Sequence, residues 1–249
     1  MKNEEKINSG EIAVKGGFLG WLDNFWYHYK WQTIGVVFLA AVLIIGLTQC
    51  ISKEEEDVIV LYAGRTQFSV GEANAICEVL ETIAPTKGEN VKSNVGITYF
   101  QVMNEEQIKQ AEAETDADGK KKYTVDRSYL SDQYDSYYSQ LLTGDHSVVF
   151  LEPWLYEKLV RDNRLVSLAD VLGYVPEGAL GEHGVRLGSL DIYGSYGALK
   201  NVMDADTVVC ILHPNSKITF SKNSNEKYYE NEKALFRAII EYKSEASEG

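Results

Sequence analysis

Fourteen consecutive residues, Ile34 to Leu47 (IGVVFLAAVLIIGL), carry no charge and no polar side chain. Ten of them are Ile, Val, Leu or Phe. At roughly 0.3 to 0.6 kcal/mol each, these ten favour insertion into a bilayer by about 3 to 6 kcal/mol. As a helix the run alone reaches only about 21 Å, short of a hydrocarbon core of about 30 Å. Extended from Trp31 to Ile51 it reaches about 31 Å, with Gln32, Thr33, Thr48 and Gln49 at its polar ends. Upstream lie Trp21, Phe25, Trp26, Tyr27 and Tyr29, the kind of rings that collect at a membrane–water boundary. The expected plan is therefore a polar tail over 1–17, an aromatic interfacial segment over 18–30 and a transmembrane helix over 31–51.

A buried core helix would not explain the aromatic collar. A cleaved signal peptide would need a small-x-small site after the apolar run, and none is present there. Leu47-Thr48-Gln49-Cys50 faintly matches a lipobox, but Gln49 is not small. An uncleaved, single-pass signal anchor fits best. Lys2, Lys6, Lys15 and Lys30 precede the span, whereas Lys53 and the acidic block Glu54 to Asp57 come after it. Basic residues set orientation, so the amino terminus is expected in the cytoplasm and the rest outside the cell membrane.

Charge narrows the partners. The four lysines and four carboxylates before residue 52 cancel, so the net charge of −13 falls entirely on residues 52–249. An acidic domain repels phosphate, which argues against nucleic acid. The expected partners are the lipid bilayer, a membrane protein such as a transporter, and a small solute. Cys77 and Cys210 both sit in apolar settings that favour buried thiols, and their pairing stays open.

From residue 57 onward, apolar runs alternate with helical patterns. DVIVLYAG (Asp57 to Gly64), NVGITYFQVM (Asn94 to Met103), HSVVFLE (His146 to Glu152) and DTVVCILHP (Asp206 to Pro214) read as strands. Ser69 with Glu72 forms a capping box ahead of a helix that Pro85 ends. Asn104, then Asp126 or Ser128, start two more helices, Pro153 suits a helical first turn, and a last helix runs over about 226–242. TDADGKKK (Thr115 to Lys122) reads as a polar, flexible loop, and the stretch after Leu168 as glycine-punctuated loop. The alternation predicts one α/β domain over 57–249 with a mainly parallel sheet. Ligands of such sheets bind beyond the carboxyl ends of the strands, here expected at Gly64 to Phe68, Met103 to Glu105, Glu152 to Trp154 and His213 to Asn215.

The stretch YDSYYSQLLTGDHSVVFLEPWLYEKLVRDNRLVSLADV (Tyr134 to Val171) resembles the first lobe of extracytoplasmic solute-binding proteins of the periplasmic type. Its helix, Gly144-Asp145 turn, apolar strand, helix and Leu165 to Leu168 segment keep their order, and VIVLYAG with the next helix is similar to their opening unit. Fewer than 80 residues remain after Val171, too few for a second lobe. The resemblance implies a reduced, single-lobe relative carried on a membrane anchor. Such a chain is expected to be a binding or accessory module of a bacterial envelope or transport complex. The alternative is a structural or assembly partner with no small-molecule ligand.

No phosphate-binding loop, dinucleotide fingerprint, zinc-protease motif or nucleophile elbow occurs, so no enzyme activity and no cofactor are expected. Gly194-Ser195-Tyr196-Gly197 reads as a turn, and His183 in its glycine loop lacks spaced metal partners. Glu152 and Trp154 together suit a cationic or sugar-like ligand through ion pairing and stacking, and Arg65 suits an anion. The candidate ligand-binding residues are thus Arg65, Thr66, Phe68, Glu152 and Trp154. Asp145, Glu152 and Asp206 are the candidate acids should the chain be a hydrolase instead.

Overall fold

A computed structural model describes residues 18–51, 56–86, 93–115, 118, 124–143, 146–214 and 222–244. The chain divides into two units, Met1–Glu54 and Glu55–Gly249. In the first, one uninterrupted helix, α1 (Phe18–Ile51), contains both the aromatic segment and the apolar run. Trp21 stacks on Phe25 at 5.6 Å and Phe25 meets Tyr29 at 5.3 Å with the rings tilted, a ladder set by the four-residue helical repeat. Among the described residues it is the one helix long and apolar enough to cross a membrane, over Phe25–Leu47. Those 23 residues measure about 35 Å. A membrane anchor and a signal sequence both meet that description. The expected tail over 1–17 and the residues Lys53 to Glu55 lie outside the described residues.

The second unit is an α/β domain built on six strands in the order β2-β1-β3-β6-β5-β4. These are β1 (Val58–Gly64), β2 (Val95–Gln101), β3 (Val148–Leu151), β4 (Ala179–Leu180), β5 (Gly184–Arg186) and β6 (Val208–Ile211). β1 pairs in parallel with β2 and β3, but β6 runs antiparallel to β3, and β5 and β4 continue antiparallel. The sheet is mixed, which corrects the expectation of a mainly parallel one. The cause is the path from Pro153 to Thr207: it reaches the far side of β3 through short helices and a hairpin, not through one helix that returns the chain to the starting edge.

Helices cover both faces. One side carries α2 (Val70–Ile83), α6 (Leu168–Leu172), α7 (Asp191–Ser195), α8 (Gly197–Lys200) and α9 (Lys222–Glu241). The other carries α4 (Arg127–Thr143) and α5 (Pro153–Arg161). This double cover explains why β3 (VVFL) and β6 (VVCI) are apolar at every position. Ile76 and Leu80 of α2 and Phe236 and Ile239 of α9 are buried against one face, each worth about 1.5 to 3 kcal/mol. Tyr137, Leu141, Leu155 and Leu159 fill the other.

Local signals act where the sequence places them. Ser69 accepts from the Glu72 N–H while Glu72 accepts from the Ser69 N–H, and α2 stops at Ala84 before Pro85. Asn104 and Gln107 form the same reciprocal cap on α3 (Glu105–Ala113). Asp126 accepts from the N–H groups of Ser128 and Tyr129 to start α4. Pro153 occupies the first turn of α5. The glycine-punctuated stretch after Leu168 holds more order than expected. Gly173, in left-handed conformation at φ 87°, caps α6, and β4 and β5 form a hairpin. Cys77 and Cys210 are both free thiols.

Candidate functional site

β2, β1 and β3 end at one edge of the sheet, at Gln101, Gly64 and Leu151. Because β6 runs the other way, its beginning faces the same edge: Leu151 is in register with Val208. The residues leading into β6 therefore join the site, whereas His213 and Pro214 lie at the opposite edge. That corrects the expected contribution of His213 to Asn215; Asn215 itself is outside the described residues.

Arg65 is the first residue beyond β1. Its Nε donates to Asp204 Oδ2 at 2.5 Å, and both side chains stay partly open to solvent. The Asp204 carboxylate holds the Arg65 guanidinium still more firmly protonated, with Glu152 adding to the effect. Glu152, immediately after β3, is buried. It accepts from Gln107 Nε2 at 2.7 Å and, at 3.4 Å, from the Arg65 N–H. Gln101 Nε2 donates to the Arg65 carbonyl at 3.0 Å. Three strand ends are thus fastened into one polar edge.

Beneath it lies Tyr62, in ring contact with Phe68 at 4.4 Å, and Phe68 in turn meets Tyr99 at 5.2 Å. Burial pushes the Tyr62 phenol up to about 12, contact with Thr66 offsets part of that, and the charges of Glu152 and Asp204 add to it. Gly64 leaves room for this ring: a Cβ there would fall 2.5 Å from Tyr62 Cζ.

Beside Arg65 opens a cleft of about 540 Å³ between the strand ends and α3 and α4. Arg65, Thr66, Gln67, Gln101, Met103, Glu114, Asp126 and Tyr129 line it. Gln67 Nε2 donates to Tyr129 Oη at 3.2 Å across the wall. The lining combines one guanidinium, two carboxylates and several neutral donors and acceptors, which suits a small polar molecule held by hydrogen bonds.

The five expected ligand residues separate into three groups. Arg65 and Thr66 face the cleft. Phe68 is buried in the core, and Glu152 is buried behind Arg65. Trp154 lies with α4 on the far face of the sheet, stacked on Tyr134 at 6.3 Å and 17°. Its buried Nε1 has no hydrogen-bond acceptor among the described residues. Lys158 Nζ donates to Tyr134 Oη at 2.5 Å and sits over the Tyr134 ring.

Gln101, Gln107, Tyr129 and Asp204 join the site without being among the residues expected there. Only Gln101 has a partial signal, lying two residues before the end of the strand read over Asn94 to Met103. Asp204 has none unless the direction of β6 is known. Of the candidate acids, Asp206 is exposed and 3.8 Å from Arg186, and Asp145 lies outside the described residues, as does the Gly144-Asp145 turn. His183 Nδ1 lies 3.2 Å from the Val166 carbonyl, and no group of three His, Cys, Asp or Glu residues among the described residues could hold a metal ion. Comparison with protein-family models, with curated proteins and with solved structures returns no match.

Proposed function

We propose that this chain is a membrane-anchored, extracytoplasmic binding or accessory module of a bacterial envelope or transport complex, and that it binds rather than transforms its ligand. The observation that carries the reading is the cleft at the strand ends, where Arg65, Gln101 and Tyr129 converge beside a buried carboxylate. Ligands of α/β domains gather at that edge, and a few convergent polar groups in a cleft of this volume are what a small solute requires. The apolar helix α1 supports the membrane part of the reading, and the excess of lysines before it supports an outside location for the acidic domain.

The test is a thermal-shift screen of the full chain in detergent micelles against sugars, amino acids, short peptides and polyamines. A hit should raise the melting temperature, and the rise should vanish in Gln101→Ala and Tyr129→Phe. If no compound shifts the parent chain at millimolar concentration, the solute-binding reading is abandoned in favour of an assembly role. Protease treatment of intact cells tests the location: survival of the acidic domain would place it inside.

A further inference from the structure

We propose that the free edge of β2 takes up an extended, basic segment of another protein as a seventh strand of the sheet. The inference is independent of the cleft, which lies at the strand ends; this surface runs along the length of β2.

Among the described residues the sheet has two outer strands, β2 and β4. β4 has two residues and offers almost no ladder. β2 has seven, all in register with β1. The bonds from Val102 N–H to Gly64 O and from Val58 N–H to Asn94 O show that even-numbered residues of β2 face β1. The N–H and C=O groups of Ile97 and Tyr99 therefore point outward, and they meet no partner among the described residues. The outward N–H of Val95 is already taken, by Glu81 Oε1 at 3.2 Å. A carboxylate thus already acts as acceptor on this edge.

Along the same edge a groove of about 480 Å³ runs between β2 and α2. Among the described residues Glu56, Glu78 and Glu81 line it, with no Lys, Arg or His. None of the three carboxylates has a cationic partner among the described residues. The side chains of Ile97 and Tyr99 point to this groove, so an added strand would set alternate side chains into it. Main-chain bonding would supply the attachment and the carboxylates the selection, in favour of lysine or arginine at every second position. The same carboxylates oppose a second copy of this chain, since its own β2 edge is equally acidic.

The test uses the full chain in nanodiscs of zwitterionic lipid and a fluorescent, alternating lysine–valine heptapeptide, with empty nanodiscs as the blank. Three further peptides are compared: one with glutamate for lysine, and two N-methylated at alternate residues in the two possible registers. The basic peptide should bind and slow hydrogen exchange at the Ile97 and Tyr99 amides. N-methylation of the bonding register should weaken it about tenfold, as should Glu56→Gln with Glu78→Gln, and the acidic peptide should not bind. Absence of binding at millimolar peptide would overturn the proposal. So would equal affinity for all N-methylated forms, which marks a charge contact alone. Protection of the same two amides in a peptide-free dimer would place a second copy on the edge and overturn it too.

Discussion

Replacing Gly64 by alanine tests how the strand-end site is built. The backbone at Gly64 is ordinary extended strand, so alanine meets no conformational strain there. Its methyl group would stand 2.5 Å from Tyr62 Cζ, about 1 Å inside normal carbon–carbon contact. Tyr62 cannot easily swing away, being 1% exposed and held against Phe68 at 4.4 Å. Overpacking of this kind costs about 2 to 3 kcal/mol. The lower chain entropy of unfolded alanine returns about 0.5 to 1 kcal/mol. The net expectation is a loss of about 1 to 2 kcal/mol, or about 2 to 8 °C in melting temperature for a domain of this size. Urea unfolding of the full chain in micelles, followed by far-ultraviolet circular dichroism, measures it. The decisive comparison is the same substitution made on Tyr62→Leu, whose shorter side chain leaves the methyl room. There Gly64→Ala should be neutral or mildly stabilising. Equal destabilisation in both backgrounds, or none in the parent, would refute the argument that Gly64 exists to seat Tyr62.

Ser69→Ala should cost about 1 kcal/mol by removing the reciprocal cap of α2, read as a lower urea midpoint with an unchanged slope. Asp204→Asn should cost under about 1 kcal/mol, because Arg65 and Asp204 are both partly exposed, and the difference should shrink further in 1 M salt. Alkaline pH should destabilise the domain. Burial raises the folded Tyr62 phenol to about 12 from an ordinary 10.0, so below pH 10 neither state ionises and the stability is intact. Above it the unfolded phenol loses its proton first, and up to about 2 to 3 kcal/mol is lost by pH 12. Urea midpoints between pH 8 and 11 should fall, and fall less steeply in Tyr62→Phe.

The elements that can be read from the sequence are those whose cause is local. Ser69 with Glu72, Asn104, Asp126 and Pro153 each act on backbone groups within three residues, so their helices begin where the pattern puts them. β1, β3 and β6 are visible as unbroken apolar runs. Their relative direction is not, because it depends on where a path of more than fifty residues emerges, and no residue in β6 encodes that. The site shows the same division. Arg65 and Thr66 can be found as the first residues past a strand. Gln107 meets Glu152 across 45 positions and Asp204 meets Arg65 across 139, so neither pairing has a signature in its own neighbourhood. Phe68 reads as a ligand contact from its place near a strand end. The ring contacts with Tyr62 and Tyr99 make it core instead.

The late arrival of β6 bears on how the chain is made. β3 is apolar at all four positions and gains its second neighbour only from Val208–Ile211. About sixty residues separate the two strands, which at synthesis rates of 5 to 20 residues per second is roughly 3 to 12 s. Throughout that interval the nascent domain shows a sticky half-sheet with β3 as its bare margin. A truncation before residue 208 leaves that margin bare and should aggregate rather than fold, read as loss of soluble protein.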